Sequence, residues 1–376
     1  MPAAYVHVPF CSAVCPYCDF AVVAGRDDLI ERYVGALLGE IALTEPWRPL
    51  GAVYFGGGTP SHIESALLGS VLTALEDTHG LEPGAEVSLE ANPEDFTAGR
   101  AQELVEIGFN RVSFGAQSFD EGILVALGRR HDAFDIQTSV ENAIEAGFER
   151  TSIDLIFGTP GETDRSWIET VSSAVDLGIG HVSCYALTAE RGTALGREVQ
   201  DGAPGPDPDL QADRYEVADR LLEEAGLQRY EVSNWARDGE ECRYNMVVWA
   251  QGEYEAYGNG AHGFREGRRF RNHRRVDAYV EHVEKRLLPR AGTDRIAGWD
   301  GELDRVFVGL RRSVGVEKGE GTEALLASVE GKSLVNAGVI ASRGNRLVVT
   351  RPLLTDAVHR SVMALSGPIV RSDSHA

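Results

Sequence analysis

Three cysteines, Cys11, Cys15 and Cys18, fall in one short run with the spacing Cys-x-x-x-Cys-x-x-Cys. One tight loop of this kind presents three thiolates to a face of a cuboidal iron–sulfur cluster and leaves one iron without a protein ligand. An open iron is a binding position. The rival chemistry, tetrahedral zinc, normally takes four ligands from paired Cys-x-x-Cys units, and the chain has no second pair. Cys184 and Cys242 stand alone, and five cysteines are too few for a disulfide framework. A second feature is the run Gly56-Gly57-Gly58-Thr59-Pro60-Ser61, whose backbone can approach a small ligand and offer it amide and carbonyl groups. It lacks the Gly-Lys-Ser/Thr ending of a phosphate loop and the spacing of a dinucleotide fingerprint. Glu90 and Asp154 lie in otherwise apolar runs, where an unpaired carboxylate is costly and a functional partner is the favoured explanation.

The elements that must position these residues repeat. Strand-like runs at 4–10, 51–55, 86–91, 111–114, 151–157 and 181–187 alternate with helix-length segments around 28–45, 62–78, 98–108, 134–147 and 163–178. Ile107-Gly108 and Ala146-Gly147 read as helix ends. Six alternating units predict parallel strands with right-handed crossovers, two short of a complete eight-fold barrel: an α/β fold built as a partial (β/α)6 barrel or an open sheet. The cysteines follow the first strand, the glycine run the second, Glu90-Ala91-Asn92-Pro93 the third and Gln117 the fourth. The carboxyl ends of parallel strands form the active face in such folds, so one site assembled from several loops is expected.

Prolines and glycines at 201–209 end the repeat. Residues 210–226 read as an amphipathic helix, QRYEVSNWA as a strand, and 242–275 as a structured loop region without clear periodicity. Beyond about 300, helical pieces and a hairpin turning at Gly344-Asn345 predict a small α+β, winged-helix-like module. The expected domains are 1–200, 201–299 and 300–376.

Charge narrows the function. Among 376 residues, Lys and Arg number 36 against 58 Asp and Glu, a formal charge of −22 that disfavours general nucleic-acid binding. No apolar run is long enough to span a bilayer, which leaves at most transient contact with a membrane surface. Met-Pro-Ala-Ala-Tyr has no secretory character, so the expected location is the cytoplasm, where clustered thiols serve metals rather than disulfides.

Taken together, YVHVPFCSAVCPYCDF, GGGTPS, LEANPE, RVSFGAQSF and SIDLIFGTPG resemble radical S-adenosylmethionine (SAM) proteins of the oxygen-independent coproporphyrinogen III oxidase family, over nearly the whole chain. The resemblance implies a 4Fe-4S cluster held by Cys11, Cys15 and Cys18, with SAM on its open iron. It implies Tyr5 and Tyr17 against SAM or the cluster, and Gly57, Gly58 and Thr59 along the methionine moiety. Glu90, Gln117, Arg129 and Asp154 match positions around the nucleoside and a second SAM pocket, although Arg129, between Gly128 and Arg130, also reads as a solvated arginine.

Two departures point within this family to the HemW-type heme chaperones. The oxidases carry a further cysteine where this chain has Phe20, and a long extension where it has four residues before Tyr5. The implied function is to bind heme and deliver it to an acceptor; the alternative is oxidative decarboxylation of coproporphyrinogen III. A third departure cuts the other way: the chaperones' heme-linked motif His-Asn-x-x-Tyr-Trp stands here as Tyr244-Asn245-Met246-Val247-Val248-Trp249. Tyr244, Cys242, His262 and His273 remain candidate iron ligands. A nucleic-acid-binding regulator has only Arg343 and Arg346 of the hairpin in its favour.

Overall fold

The structure, a computed structural model, describes residues 1–365. The end of the expected C-terminal module, 366–376, lies outside the described residues. β1 (Ala3–Val8) runs into the cysteine loop, where β2 (Phe10–Cys11) and β3 (Val23–Ala24) pair in parallel and pin the loop at both ends. β4 (Leu50–Gly57), β5 (Leu81–Ala91), β6 (Arg111–Gln117), β7 (Arg150–Phe157) and β8 (His181–Ala186) follow, each parallel to the one before. These are the six expected strands, and the expected helices lie between them, at Ile30–Leu43, Ser65–His79, Ala98–Ile107, Ala133–Ala146 and Asp164–Asp176.

Alternation along the strands separates two faces. One carries Val53 and Phe55, Val87 and Leu89, Val112 and Phe114, Ile153 and Leu155, all in the main hydrophobic core beneath the helices. The other is polar and largely small: Tyr54 pairs with Ser88, Glu90 with Ser113, Ser113 with Ser152, Asp154 with Ser183. Small side chains there leave room that bulky branched residues fill in a closed barrel. Three of the five helices begin where side chains cap them, Thr97, Asp132 and Thr163 each accepting from first-turn N–H groups. Two end at the glycines expected, Gly108 at φ 114° and Gly147 at φ 100°.

Past the break, the expected helix forms at Pro208–Glu224, but QRYEVSNWA divides into β9 (Gln228–Glu231) and β10 (Asn234–Ala236), the latter antiparallel to β8. The stretch 242–275 is not a loop region. It holds a helix, Arg243–Trp249, and three strands, β11 (Tyr254–Tyr257), β12 (His262–Arg265) and β13 (Arg268–Asn272). The strands are too short for an alternation to show in the sequence. β12 and β13 turn on Glu266 and Gly267, both at positive φ, 53° and 67°, as a two-residue type I′ hairpin needs. β11 pairs in parallel with β1, so this segment and β14 (Arg290–Arg295) extend the sheet beyond its first strand.

Met1–Arg229, Ser233–Val248 and Gly252–Asp294 form one compact unit. A second, from Arg295 onward with Tyr230–Val232 and Trp249–Gln251, has its own core of Val306, Leu310, Leu325, Leu347 and Val358. In it β15 (Val316–Glu317) and β16 (Ile340–Arg343) flank β17 (Arg346–Val349), with Gly344-Asn345 at the expected turn. No helix of the described residues is long and apolar enough to cross a membrane.

Candidate functional site

A cavity of about 440 Å³ opens at the carboxyl ends of the parallel strands. Cys11, Cys15, Tyr17, Cys18, Gly57, Gly58, Thr59, Glu90, Gln117, Arg129 and Asp154 all line it. Residues separated by more than a hundred positions thus meet because every loop leaves its strand at the same edge.

The cysteine loop is tied by the Cys18 N–H to the Cys15 carbonyl at 3.1 Å, and all three thiols are free and half-buried. Thr59 Oγ1 donates to Cys11 Sγ at 3.5 Å, and Arg129 Nη1 to Cys15 Sγ at 3.4 Å. Burial pushes the Cys11 thiol up to about 11 and raises Cys18 as well, so metal binding must displace protons. Among the described residues no three His, Cys, Asp or Glu side chains converge on a single ion. The three thiols lining the cavity could serve as the three protein ligands of a cuboidal cluster. The glycine loop is built for close approach: a Cβ on Gly58 would stand 2.7 Å from the Pro9 carbonyl carbon, and Gly57 has φ 114°. Gly58 and Thr59 donate their N–H groups to Val8 and Phe10, which fastens this loop to the cysteine loop.

Arg129 is not a solvated arginine. Its Nη2 donates to Asn92 Oδ1 at 2.7 Å and to the Gly115 carbonyl at 2.9 Å, while its buried Nε has no hydrogen-bond partner in the protein. A cation with an unused donor in a cavity suits an anionic ligand group. Glu90 accepts from the Tyr54 hydroxyl and the Gly57 N–H, both at 2.9 Å; burial pushes its carboxyl up to about 7, and Asp154 adds to the rise. Asp154, raised chiefly by burial, accepts from Ser113 at 3.2 Å. Gln117 ends β6 at φ 66°, a left-handed conformation that is costly away from glycine. Asn92, in the expected loop after the third strand, lines the cavity too, whereas the sequence reading missed Tyr54 of β4 and, at the end of β8 and just beyond it, Tyr185, Ala186, Leu187, Thr188 and Glu190. The rule that strands deliver function at their carboxyl ends could have found both groups.

Tyr5 lies apart from the cavity lining. Its ring stacks on Tyr54 at 6.3 Å and on Tyr244 at 5.8 Å, and Tyr54 and Tyr244 stack at 5.3 Å. His7 Nε2–H donates to the Ala21 carbonyl at 3.1 Å, which leaves Nδ1 to accept from the Tyr5 hydroxyl at 3.0 Å. Burial lowers His7 to about 4, so the ring is neutral at pH 7.

Residues 5–174 match the Radical SAM superfamily. The chain is 37% identical over 377 residues to the heme chaperone HemW of Mycobacterium tuberculosis (strain ATCC 25618 / H37Rv), covering 96% of this chain and 94% of that protein. To the heme chaperone HemW of Bacillus subtilis (strain 168) it is 32% identical, over 93% and 95% of the two chains. The fold matches the coproporphyrinogen III oxidase HemN of Escherichia coli, described as a radical SAM enzyme, with a TM-score of 0.83 over 96% of this chain and 89% of that one, at 22% identity. At that identity the likeness speaks for the fold. The similarity to the two chaperones, sustained along nearly the full length of each partner, places the chain in the HemW family of the radical SAM superfamily.

Proposed function

We propose that this protein binds heme and passes it to acceptor proteins, and that it carries a 4Fe-4S cluster on Cys11, Cys15 and Cys18 with SAM at the open iron. The observation that carries the reading is the kinship, at 37% and 32% identity over more than nine-tenths of the chain, to proteins named heme chaperones. The cavity fits the cluster and SAM: it is lined by three free thiols, and beside them a buried arginine nitrogen has no partner. When bound, the cluster can supply an electron to the sulfonium of SAM, chemistry that belongs to the cofactor.

The protein's part is to position and to balance charge. Thr59 and Arg129 donate toward the thiolates, Gly57 and Gly58 line the cavity with backbone that an amino-acid moiety would meet, and Glu90 and Asp154 offer acceptors to amino or hydroxyl groups. Tyr17 and Gln117 line the same cavity and would face the nucleoside. Phe20, standing where the oxidases have a further cysteine, is 62% exposed on the cavity wall and offers no thiolate. The cytoplasm is the proposed location.

The test runs two assays on anaerobically reconstituted protein. Heme titration followed in the Soret region is expected to saturate near one heme per chain. Incubation with SAM, reductant and coproporphyrinogen III is expected to yield no vinyl product. Sustained protoporphyrinogen formation, or heme uptake without saturation, overturns the proposal.

A further inference from the structure

A second cavity, of about 350 Å³, is lined by residues of the second unit alone, among them Trp249, Arg305, Arg312, Glu317 and Arg346. Three guanidinium groups against one carboxylate make this lining cationic in a chain of net charge −22. Two of the three arginines are committed to the protein. Arg305 donates through Nε and Nη2 to Glu302 at 2.8 and 2.7 Å and through Nη1 to the Glu317 carbonyl at 2.9 Å. Arg346 donates to the carbonyls of Val314 and Gly315 at 2.7 and 2.9 Å and to Glu317 Oε1 at 3.4 Å.

Arg312 is different. Its half-buried guanidinium makes no hydrogen bond or ion pair among the described residues, and its Nε is shut off from solvent as well. Burial lowers its pKa from the ordinary value, and the charge of Arg346 adds to the fall, only partly offset by Glu317. A second donor in the lining is stranded in the same way: the Trp249 Nε1–H is buried with no partner among the described residues. Arg311, whose guanidinium lies over the indole ring at 4.4 Å, pairs instead with Glu231 at 3.3 Å. Two unused donors in one lining, one of them a cation set beside a second cation, cost stability unless an acceptor of negative charge arrives. The backbone holds them in place. The Gly315 N–H donates to the Arg312 carbonyl at 2.8 Å, closing a turn whose Val314 and Gly315 carbonyls are the ones Arg346 binds. Gly315 sits at φ 64°, and a Cβ there would collide with the Leu347 carbonyl oxygen.

We propose that this cavity is an oxyanion site, in which Arg312 and the Trp249 Nε1–H donate to the phosphate or carboxylate group of a small molecule and Arg346 adds its charge. Guanidinium nitrogens match either group, and the volume suits a small phosphorylated or carboxylated compound. Neither the cluster nor heme is needed for it to bind.

The experiment is calorimetric titration of the full chain with inorganic phosphate and with succinate, at one ionic strength set with chloride. The Arg312→Gln, Trp249→Phe and Arg268→Gln variants run beside the wild type, the last altering an exposed arginine of the β12–β13 hairpin. At least one probe is expected to saturate near one per chain; tighter phosphate assigns a phosphate group, and tighter succinate a carboxylate. Arg312→Gln is expected to weaken binding about tenfold or more and Trp249→Phe several-fold, while Arg268→Gln leaves it unchanged. In urea without either probe, Arg312→Gln is expected to be at least as stable as the wild type, since it removes a cation that has no partner. No saturable binding by the wild type, binding undiminished in Arg312→Gln, or a loss of stability in that variant overturns the site.

Discussion

Arg129 brings two loops and a strand to one guanidinium: Cys15 from the first loop, Asn92 from the third and the Gly115 carbonyl from β6. Arg129→Ala removes all three contacts and leaves half-buried acceptors to find water. It is expected to cost about 1–3 kcal/mol in stability and to lower cluster occupancy. Denaturant midpoints and iron per chain after reconstitution check this, and unchanged iron content would assign Arg129 a purely structural part. Cys15→Ala is expected to abolish the brown chromophore and its reduced-state EPR signal; a normal cluster in that variant would refute the three-thiolate assignment. At this scale the sequence was informative where residue type is restrictive. Three cysteines in a row of turns have few uses, and all three reach the cavity. An arginine between Gly128 and Arg130 has many uses, and only the fold aims it inward. Tyr244 was opaque for the same reason: a position in a motif says nothing of the rings of Tyr5 and Tyr54 on which it stacks.

The junction of β1 with β4 is the element on which the cavity depends. Gly58 packs directly on the backbone at Pro9 and Phe10, where a Cβ would come within 2.7–2.8 Å of main-chain atoms that cannot move aside. Gly58→Ala is therefore expected to part the glycine and cysteine loops, destabilising the fold by about 1–3 kcal/mol and reducing iron uptake. Retention of wild-type stability and iron would show that the loops yield. On the other side of β1, Glu40 ties the helix Ile30–Leu43 to the added strands. Its carboxylate accepts from the Gly258 N–H at 2.9 Å, Tyr279 at 2.7 Å and Asn272 at 2.8 Å, with Arg290 at 3.9 Å. Burial nonetheless pushes its carboxyl up from the ordinary 4.5 to about 7. Because the folded value is the higher one, its stabilising contribution is whole below about pH 4.5 and fades as pH rises through about 7. Comparing urea unfolding of wild type and Glu40→Gln across that range, the difference between them is expected to change by about 1–3 kcal/mol. Parallel curves would contradict it. The six core strands were legible because their apolar residues recur between helix-length segments at a regular spacing. β11 to β13 were not, because strands of four or five residues that owe their place to pairing with β1 carry no period of their own.

Among the described residues the main hydrophobic core spreads across the parallel sheet, and a separate one is confined to the unit that begins at Arg295. Separate cores are expected to melt separately. Calorimetry should show two transitions, only one of which coincides with bleaching of cluster absorbance; a single transition shared by both probes would contradict this. The charge of −22 acts on the whole molecule, and it makes the arginine-rich hairpin at 265–275 stand out as a local exception. We propose that the loops at one end of the sheet hold a cluster with an open iron beside a SAM pocket. The most direct measurement is the EPR spectrum of the reduced, reconstituted protein before and after SAM is added. One 4Fe-4S signal whose g-values shift on addition of SAM is the predicted result, and a cluster whose spectrum SAM leaves unchanged would contradict it.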